Sequence, residues 1–488
     1  MAKGKQSPAI PQAQHGPKSP RSRHDKRKRL TSRNPDRNRT TAAKFPLVGL
    51  LAEFAGSISR LLDSRIGFRF PILVAGALLA TGRRTASRWF QSAGVKDDWD
   101  RFYDLLVSLG KSTSSLMLPL VIRIVRRFDP GPGGRWKMAL DDSPTQRYGR
   151  NVEGANVHYN PTPGPANQAW LYGHNWVCLA FLLTHSLWGV LALPVLSMLY
   201  VRQEDVAKLR IQHGDWKFQT KHELALELVR QVIRTLRALG SQAGWLIIMD
   251  GAYAASSLLR ALLAEGVHII CRLRRDAQLY DLPTPETGRR GRPRIYGKNR
   301  ISLAKRAGRS EGWESISFLC RGVEITRRCK TFWATTHLTG GVVRVVLLEH
   351  DRRNWAAYFS TDPELDAKSI LEIGAERWGI EETFHDVKEV WGAGQQQVRN
   401  VWSSIGCWHL NTWLYTLVEL TCWDRSAEEL VDRSDRSWDN TQRRPSHADR
   451  RRTLRREMLE KQFLLDLPQD LTNTKYLAHL KQLLALAT

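Results

Sequence analysis

The segment WVCLAFLLTHSLWGVLALPVLSMLYV, Trp176 to Val201, carries no formal charge. A run of this length and character either spans a bilayer or is buried inside a large core. Its middle, Thr184-His185-Ser186, is polar, and Pro194 interrupts its second half. Two buried strands joined by a tight turn accommodate both features. The expectation is therefore a β-hairpin and no membrane partner. The chain has 488 residues, 42% of them hydrophobic, which suits several domains around a sizeable core.

The net charge is +26. Such a charge says nothing about fold, but it favours a polyanionic partner, nucleic acid ahead of a membrane surface. Residues 1–44 hold thirteen Lys/Arg and two Asp. This segment is Pro/Ser-rich and almost free of large apolar residues, so it is expected to be a disordered basic tail. No apolar stretch follows its basic residues, which argues against a signal peptide. Cys178, Cys271, Cys320, Cys329, Cys407 and Cys422 form no CxxC and no zinc-finger spacing. They read as reduced, mostly buried thiols of a cytoplasmic protein.

Residues 45–128 read as helical and as a DNA-binding domain. Within them, Phe70 to Val95 resembles a helix-turn-helix whose second helix carries Arg83, Arg84 and Arg88 at its start. Any helical hairpin with basic ends has the same look. Asp129-Pro-Gly-Pro-Gly-Gly is a linker. Trp136 to Leu140 reads as a strand ending in Asp141 and Asp142, and Tyr159 to Gln168 as a Pro-rich loop. After the hairpin, Thr220 and Glu223 form a capping box opening a helix that Gly240 stops. A strand from Trp245 to Met249 ends in Asp250; a helix (Ala254 to Glu265) and a strand (Val267 to Leu273) follow. The order β-β-β-α-β-α-β predicts an α/β fold with a mixed sheet over residues 136–275. Residues 276–365 change to short β-like runs and read as an insertion. Its TGRRGRPRIYG contains Arg290, Arg292 and Arg294 in the pattern of an AT-hook, which lies in a narrow minor groove; a flexible basic loop is the alternative. Residues 366–423 return to the core, with Ile405 to Leu420 as one helix and His409 as a structural histidine. Residues 424–488 are charged with both signs and are expected to form a solvated, helix-rich extension.

One helical segment has an odd face. In ERWGIEETFHDVK, Arg377, Glu381, Phe384 and Lys388 stand at i, i+4, i+7 and i+11. At about 100° per residue they share one stripe, where an amphipathic helix carries apolar residues. A solvated face with one ion pair, worth about 0.2–0.5 kcal/mol, explains that in isolation. Yet Asp141 and Asp250 also stand where buried apolar runs end. A buried carboxylate is costly unless it meets a proton, a cation or a metal. Ion pairing within a basic chain is one answer. A hard cation with oxygen ligands is the other, and Mg²⁺ fits it. Two such ions about 3.5–4 Å apart serve phosphodiester chemistry.

LDDSPTQRYG, IIMDGAY and ERWGIEETFHDVK together resemble the bacterial insertion-sequence DDE transposases, in the branch with a Tyr-x2-Arg-x3-Glu-x6-Lys signature, and the related DDE superfamily endonucleases. The resemblance covers about Trp136 to Trp423. It implies a ribonuclease-H-like mixed-sheet catalytic core with a β-rich insertion. It implies Asp141, Asp250 and Glu381 as catalytic acids and ligands of two Mg²⁺ ions, with Mn²⁺ able to substitute. The Asp-x-Ser pattern favours Asp141, with Ser143, over Asp142. Arg377 and Lys388 fall on the signature's Arg and Lys and would contact DNA phosphates. Position 374 departs from it, with Gly in place of Tyr. Trp333 is a candidate for holding a flipped base, against a plain core role. The activity implied is cleavage at terminal inverted repeats and joining of 3′-hydroxyl ends to target DNA, by a homodimer in a nucleoid-associated, cytoplasmic setting. A catalytically silent DNA-binding descendant is the alternative.

Overall fold

The uncharged run folds as two paired strands. In the computed structural model, which describes residues 46–159, 169–284, 293–351, 354–431, 438–440 and 442–466, β3 (Trp170–His185) and β4 (Gly189–Tyr200) are antiparallel, with the turn at Ser186–Trp188. The register shifts where Ala180 faces Pro194, because proline has no N–H to give to the ladder. Trp176 to Phe181 are fully buried. Each large apolar side chain buried there contributes roughly 1.5–3 kcal/mol. Among the described residues no single helix is long and apolar enough to cross a membrane.

The remaining strands are β1 (Arg135–Gln146), β2 (Asn156–Tyr159), β5 (Gly244–Met249), β6 (Val267–Leu273), β7 (Leu279–Tyr280), β8 (Arg300–Ile301), β9 (Glu314–Cys320), β10 (Val323–Thr336), β11 (Gly341–Asp351) and β12 (Asn354–Ser360). They join one sheet in the order β2-β3-β1-β5-β6-β12-β11-β10-β7-β8, with β4 on β3 and β9 on β10. Among the described residues only β1, β5 and β6 run parallel to one another; the other pairs are antiparallel. The residues of the β-rich segment extend the same sheet, since β12 pairs with β6.

The helices are α1 (Gly49–Leu61), α2 (Arg69–Leu79), α3 (Ala86–Ser92), α4 (Trp99–Lys111), α5 (Leu118–Phe128), α6 (Gln203–His213), α7 (Lys221–Ala238), α8 (Ser256–Ala264), α9 (Leu303–Gly308), α10 (Ala367–Glu376), α11 (Trp378–Glu389), α12 (Val401–Cys422) and α13 (His447–Asp466), with shorter turns unlabelled. The capping box at Thr220 and Glu223 opens α7 with both reciprocal bonds. Buried along nearly its whole length, α12 lies against α4. Gly110 and Gly406 make the crossing close: a Cβ on Gly110 would stand 1.8 Å from Trp402 O, and one on Gly406 2.2 Å from Leu106 O. All six cysteines are free, and Cys320 alone among them is not fully buried.

Four expectations need correction. The strand at Trp136 does not end at Leu140, because Asp142 to Gln146 pair with Gly173 to Val177 of β3. The helix at Glu376 is two helices that meet at Arg377. Tyr159 belongs to β2 and not to a loop. The C-terminal segment is not simply solvated: α13 buries His447, Asp449, Arg450 and Arg451. Its charges enter the interior because they meet partners there. The basic segment 1–44, the rest of the Pro-rich loop (160–168), and Arg290 and Arg292 lie outside the described residues.

Candidate active site

Parallel pairing sets the first two acids side by side. Leu140 of β1 pairs with Met249 of β5, so the next residues, Asp141 and Asp250, stand level where that ladder ends. Met249 pairs with Cys271 of β6, which brings Arg272 level with Asp250, and Arg272 pairs with Tyr358 of β12. One row across the sheet thus reads Asp141, Asp250, Arg272, Tyr358.

Alternation along β1 sends Asp141 and Asp142 to opposite faces. Asp142 accepts from Lys221 Nζ of α7 at 2.7 Å and from Tyr253 Oη at 2.9 Å. It is a joint between β1 and the helix face behind it. Asp141 faces α11. Its Oδ2 accepts from Arg377 Nη1 at 2.6 Å, and its Oδ1 from the Asp142 N–H at 2.8 Å. Arg377 Nη2 donates in turn to Glu381 Oε1 at 2.6 Å. The odd stripe is therefore no solvated face. Arg377 links a strand acid to a helix acid, and Glu381 reaches the row through it.

The joint that carries Arg377 is pinned. Lys137, four residues before Asp141 on the same strand face, donates to both carboxylate oxygens of Glu376 at 2.5 Å. Thr383 Oγ1 donates to Ala192 O of β4 at 2.9 Å, holding α11 on the hairpin. Phe384 is buried beneath the stripe.

Burial pushes the Asp141 carboxyl up to about 7; Arg377 opposes this, and Asp142 and Asp250 reinforce it. Burial also works against the Arg377 charge, but Asp141 and Glu381 outweigh it and hold the guanidinium above its usual range. Lys388, half-buried at the penultimate position of α11, is pushed down to about 8 by burial.

A cavity of about 270 Å³ opens beside Asp250 and Arg377. Arg272, Arg321, Arg327, His350, Tyr358 and Trp378 are among its walls. Arg321 and Gly322 connect β9 to β10 with φ of 53° and 78°, positive values at both centres as a two-residue hairpin turn requires. A left-handed arginine costs roughly 1–2 kcal/mol. Here it places the guanidinium 3.7 Å over the Trp378 ring. Gly374 also lines the cavity, and a Cβ there would lie 3.7 Å from the Tyr358 ring. An aromatic from β12 thus stands beside the position where the signature tyrosine is missing.

Not all expected residues gather here. Arg294 and Arg83 are exposed elsewhere. Arg84 is tied into the structure: its guanidinium Nη1 donates to Glu389 O at 3.3 Å, its backbone N–H to Gln395 Oε1 at 2.7 Å, and its carbonyl accepts from Gln396 Nε2 at 2.6 Å. Trp333 sits on β10 with Arg344 4.6 Å over its ring, outside the cavity walls. His409 is structural: Nε2 accepts from the Ser197 N–H and Nδ1 bonds to Ile405 O. Sequence reasoning missed Arg272, Arg321, Tyr358 and Trp378. Only Arg272 left a signal, as the residue level with Asp250 once two parallel strands are aligned.

The donor set of Asp141, Asp250 and Glu381 is all carboxylate oxygen, which suits a hard divalent cation. Their arrangement is another matter. Among the described residues no three His, Cys, Asp or Glu side chains converge as a cage for an ion. The Arg377 guanidinium lies between Asp141 and Glu381, so a cation shared by those two carboxylates would displace it.

Residues 62–322 match the family model described as DDE superfamily endonuclease. A cryo-EM structure of piggyBac transposase in a synaptic complex with hairpin DNA aligns at 11% identity and a TM-score of 0.37, covering 91% of this chain and 84% of that one; a likeness so low carries no argument. No curated protein matches. The family match takes in Asp141 and Asp250 and stops before Glu381, which meets Asp141 through Arg377. Since the match spans more than half of the 488 residues, the chain belongs to the DDE superfamily endonucleases.

Proposed function

We propose that the chain is a DDE transposase of a bacterial insertion sequence, working in the cytoplasm on its own element. It binds the terminal inverted repeats as a homodimer, hydrolyses a strand at each end and joins the 3′-hydroxyl to target DNA. The observation that supports this most is the placing of Asp141 and Asp250 at one sheet level, with Glu381 joined to Asp141 through Arg377. A ribonuclease-H-like core is supported by the parallel strands β1, β5 and β6 flanked by antiparallel β3 and β4. Residues 45–128 are assigned to DNA binding, 136–275 and 366–423 to the catalytic core, and 276–365 to the insertion.

Asp141, Asp250 and Glu381 would hold Mg²⁺, or Mn²⁺ in its place, which supplies Lewis acidity and an activated water at neutral pH. The protein's own groups do the rest. The Asp141 carboxyl exchanges its proton near neutrality. Arg377, once released from a carboxylate, is positioned for a DNA phosphate. Lys388 stands further along the same helix face, and Arg83 and Arg294 are exposed for phosphate contacts. A second reading, a silent DNA-binding descendant, is favoured by Gly374 and by the guanidinium between the acids. Incubating purified protein with the element's end sequences, a target plasmid and Mg²⁺ separates the two. Joined products are expected. Nicks without joining would reduce the activity to a nuclease, and binding without either would favour the silent descendant.

A further inference from the structure

Away from the acids, a second cleft of about 550 Å³ lies between the chain leaving β6 and the β8–α9 segment. Arg275, Arg300, Lys305, Arg306 and Arg309 line it, with Asp276 as the one acid among its described lining residues. Asp276 is already paired with Arg274 at 3.1 Å. Among the described residues Arg300, Lys305, Arg306 and Arg309 make no ion pair. Arg275 is fixed by Asn354 Oδ1 at 2.7 Å and by Trp355 O at 3.1 Å.

The framework beneath adds more positive charge. Lys330 is buried and donates to Arg306 O at 2.8 Å and Arg309 O at 2.6 Å, so carbonyls and not carboxylates receive its ammonium. The Arg306 guanidinium lies 4.0 Å over the Phe332 ring. Like charges gathered with no ion pair among the described residues repel, and a cleft mostly of one sign with low-dielectric walls focuses its field on a ligand of the other sign. Arg272 is level with Asp250, and Arg275 follows it as the chain leaves the same sheet edge. One wall of the cleft, Arg275 and Asp276, thus follows the same strand ends after which Asp141 and Asp250 stand.

We infer that this cleft is a backbone clamp for double-stranded DNA, taking consecutive phosphates of the duplex that flanks the cut. The inference rests on the proposed DNA-cleaving function and gives it a second anchor outside the acid row. Phosphate contacts of this kind set register and affinity but read no sequence.

The test is fluorescence anisotropy of a fluorescein-labelled DNA duplex with the full chain over a range of KCl concentrations. Wild type is compared with the triple variant Arg300→Gln, Lys305→Gln, Arg309→Gln. All three side chains are exposed, and circular dichroism checks that the variant is folded. Each phosphate contact contributes about 0.9 to the slope of log affinity against log salt. The triple variant is expected to lose about 2.7 from that slope and to bind on the order of tenfold to a hundredfold more weakly. Arg300→Lys with Arg309→Lys keeps the charge and is expected to keep the slope. Unchanged slope and affinity in the triple variant, while wild type binds DNA, would overturn the clamp and leave the proposed function standing. No DNA binding by wild type would overturn both. Displacement of the duplex by single-stranded RNA at lower concentration than by unlabelled duplex would overturn the assignment to DNA.

Discussion

Adjacent residues on a strand point to opposite faces, and at Asp141 and Asp142 that parity separates two carboxylates by environment. Asp142 is committed to Lys221 and Tyr253. Asp142→Ala strands both partners, so we expect a stability loss of about 1–2 kcal/mol in urea unfolding with DNA cleavage still measurable. Asp141→Ala is expected to abolish cleavage while leaving DNA binding. The opposite pattern would exchange their roles. Asp141 also predicts a pH dependence. Its folded carboxyl titrates near 7, raised by burial, whereas the unfolded group titrates at about 3.9. Between those values the folded chain holds more protons than the unfolded one, so stability falls as pH rises toward 7 and then levels. In chelator-containing buffer, urea midpoints at pH 5 and pH 8 are expected to differ more for wild type than for Asp141→Asn. An equal difference in the two proteins would remove the basis for the raised carboxyl. The sequence singled out this acid through its Asp-x-Ser pattern. It held no sign of Arg377 as the bridge, because a contact 236 residues distant in sequence depends on two elements being packed together.

At the scale of elements, what is local was legible. The capping box, the strand at Val267 and the uncharged hairpin all announce themselves through adjacent residues, and all are present. What depends on a distant partner was not. The extra length of β1 comes from pairing with β3, and Arg272 and Tyr358 reach the acid row only through the order of the strands. The break at Arg377 is similar, since Lys137 holds Glu376 from another element. The crossing of α4 and α12 shows how little freedom packing leaves. Any side chain at Gly406 meets Leu106 O, and relief requires the helices to part. Gly406→Val is expected to cost more than about 3 kcal/mol, read as a lowered melting temperature. A variant as stable as wild type would mean that the two helices are not in contact.

Across the whole molecule, charge is managed in two ways. In the interior it meets a counter-charge or backbone carbonyls, as Glu419 and Lys330 show. Glu419 of α12 is fully buried, accepts from Arg450 Nη2 at 2.8 Å and is bonded to His447 Nδ1. Burial would raise its carboxyl, but Arg450 and His447 outweigh that and lower it. Glu419→Ala leaves the buried Arg450 without a counter-charge, so a loss of about 3–5 kcal/mol is expected, with faster hydrogen exchange throughout α13. No change in exchange would mean that this network does not dock the helix. In the basic cleft Arg300, Lys305 and Arg309 are exposed, as the proposed binding of a polyanion requires. The central claim is that Asp141, Asp250 and Glu381 act together on DNA. It is tested most directly with DNA carrying the element's own ends, with Mg²⁺ or Mn²⁺, comparing wild type with Glu381→Gln. Glu381 is the decisive position because it lies beyond the residues that match the family and meets Asp141 only through Arg377. Cuts at the ends that require metal and disappear in the variant, while both proteins bind the DNA equally, are the expected result. Equal cutting by the two proteins would contradict it.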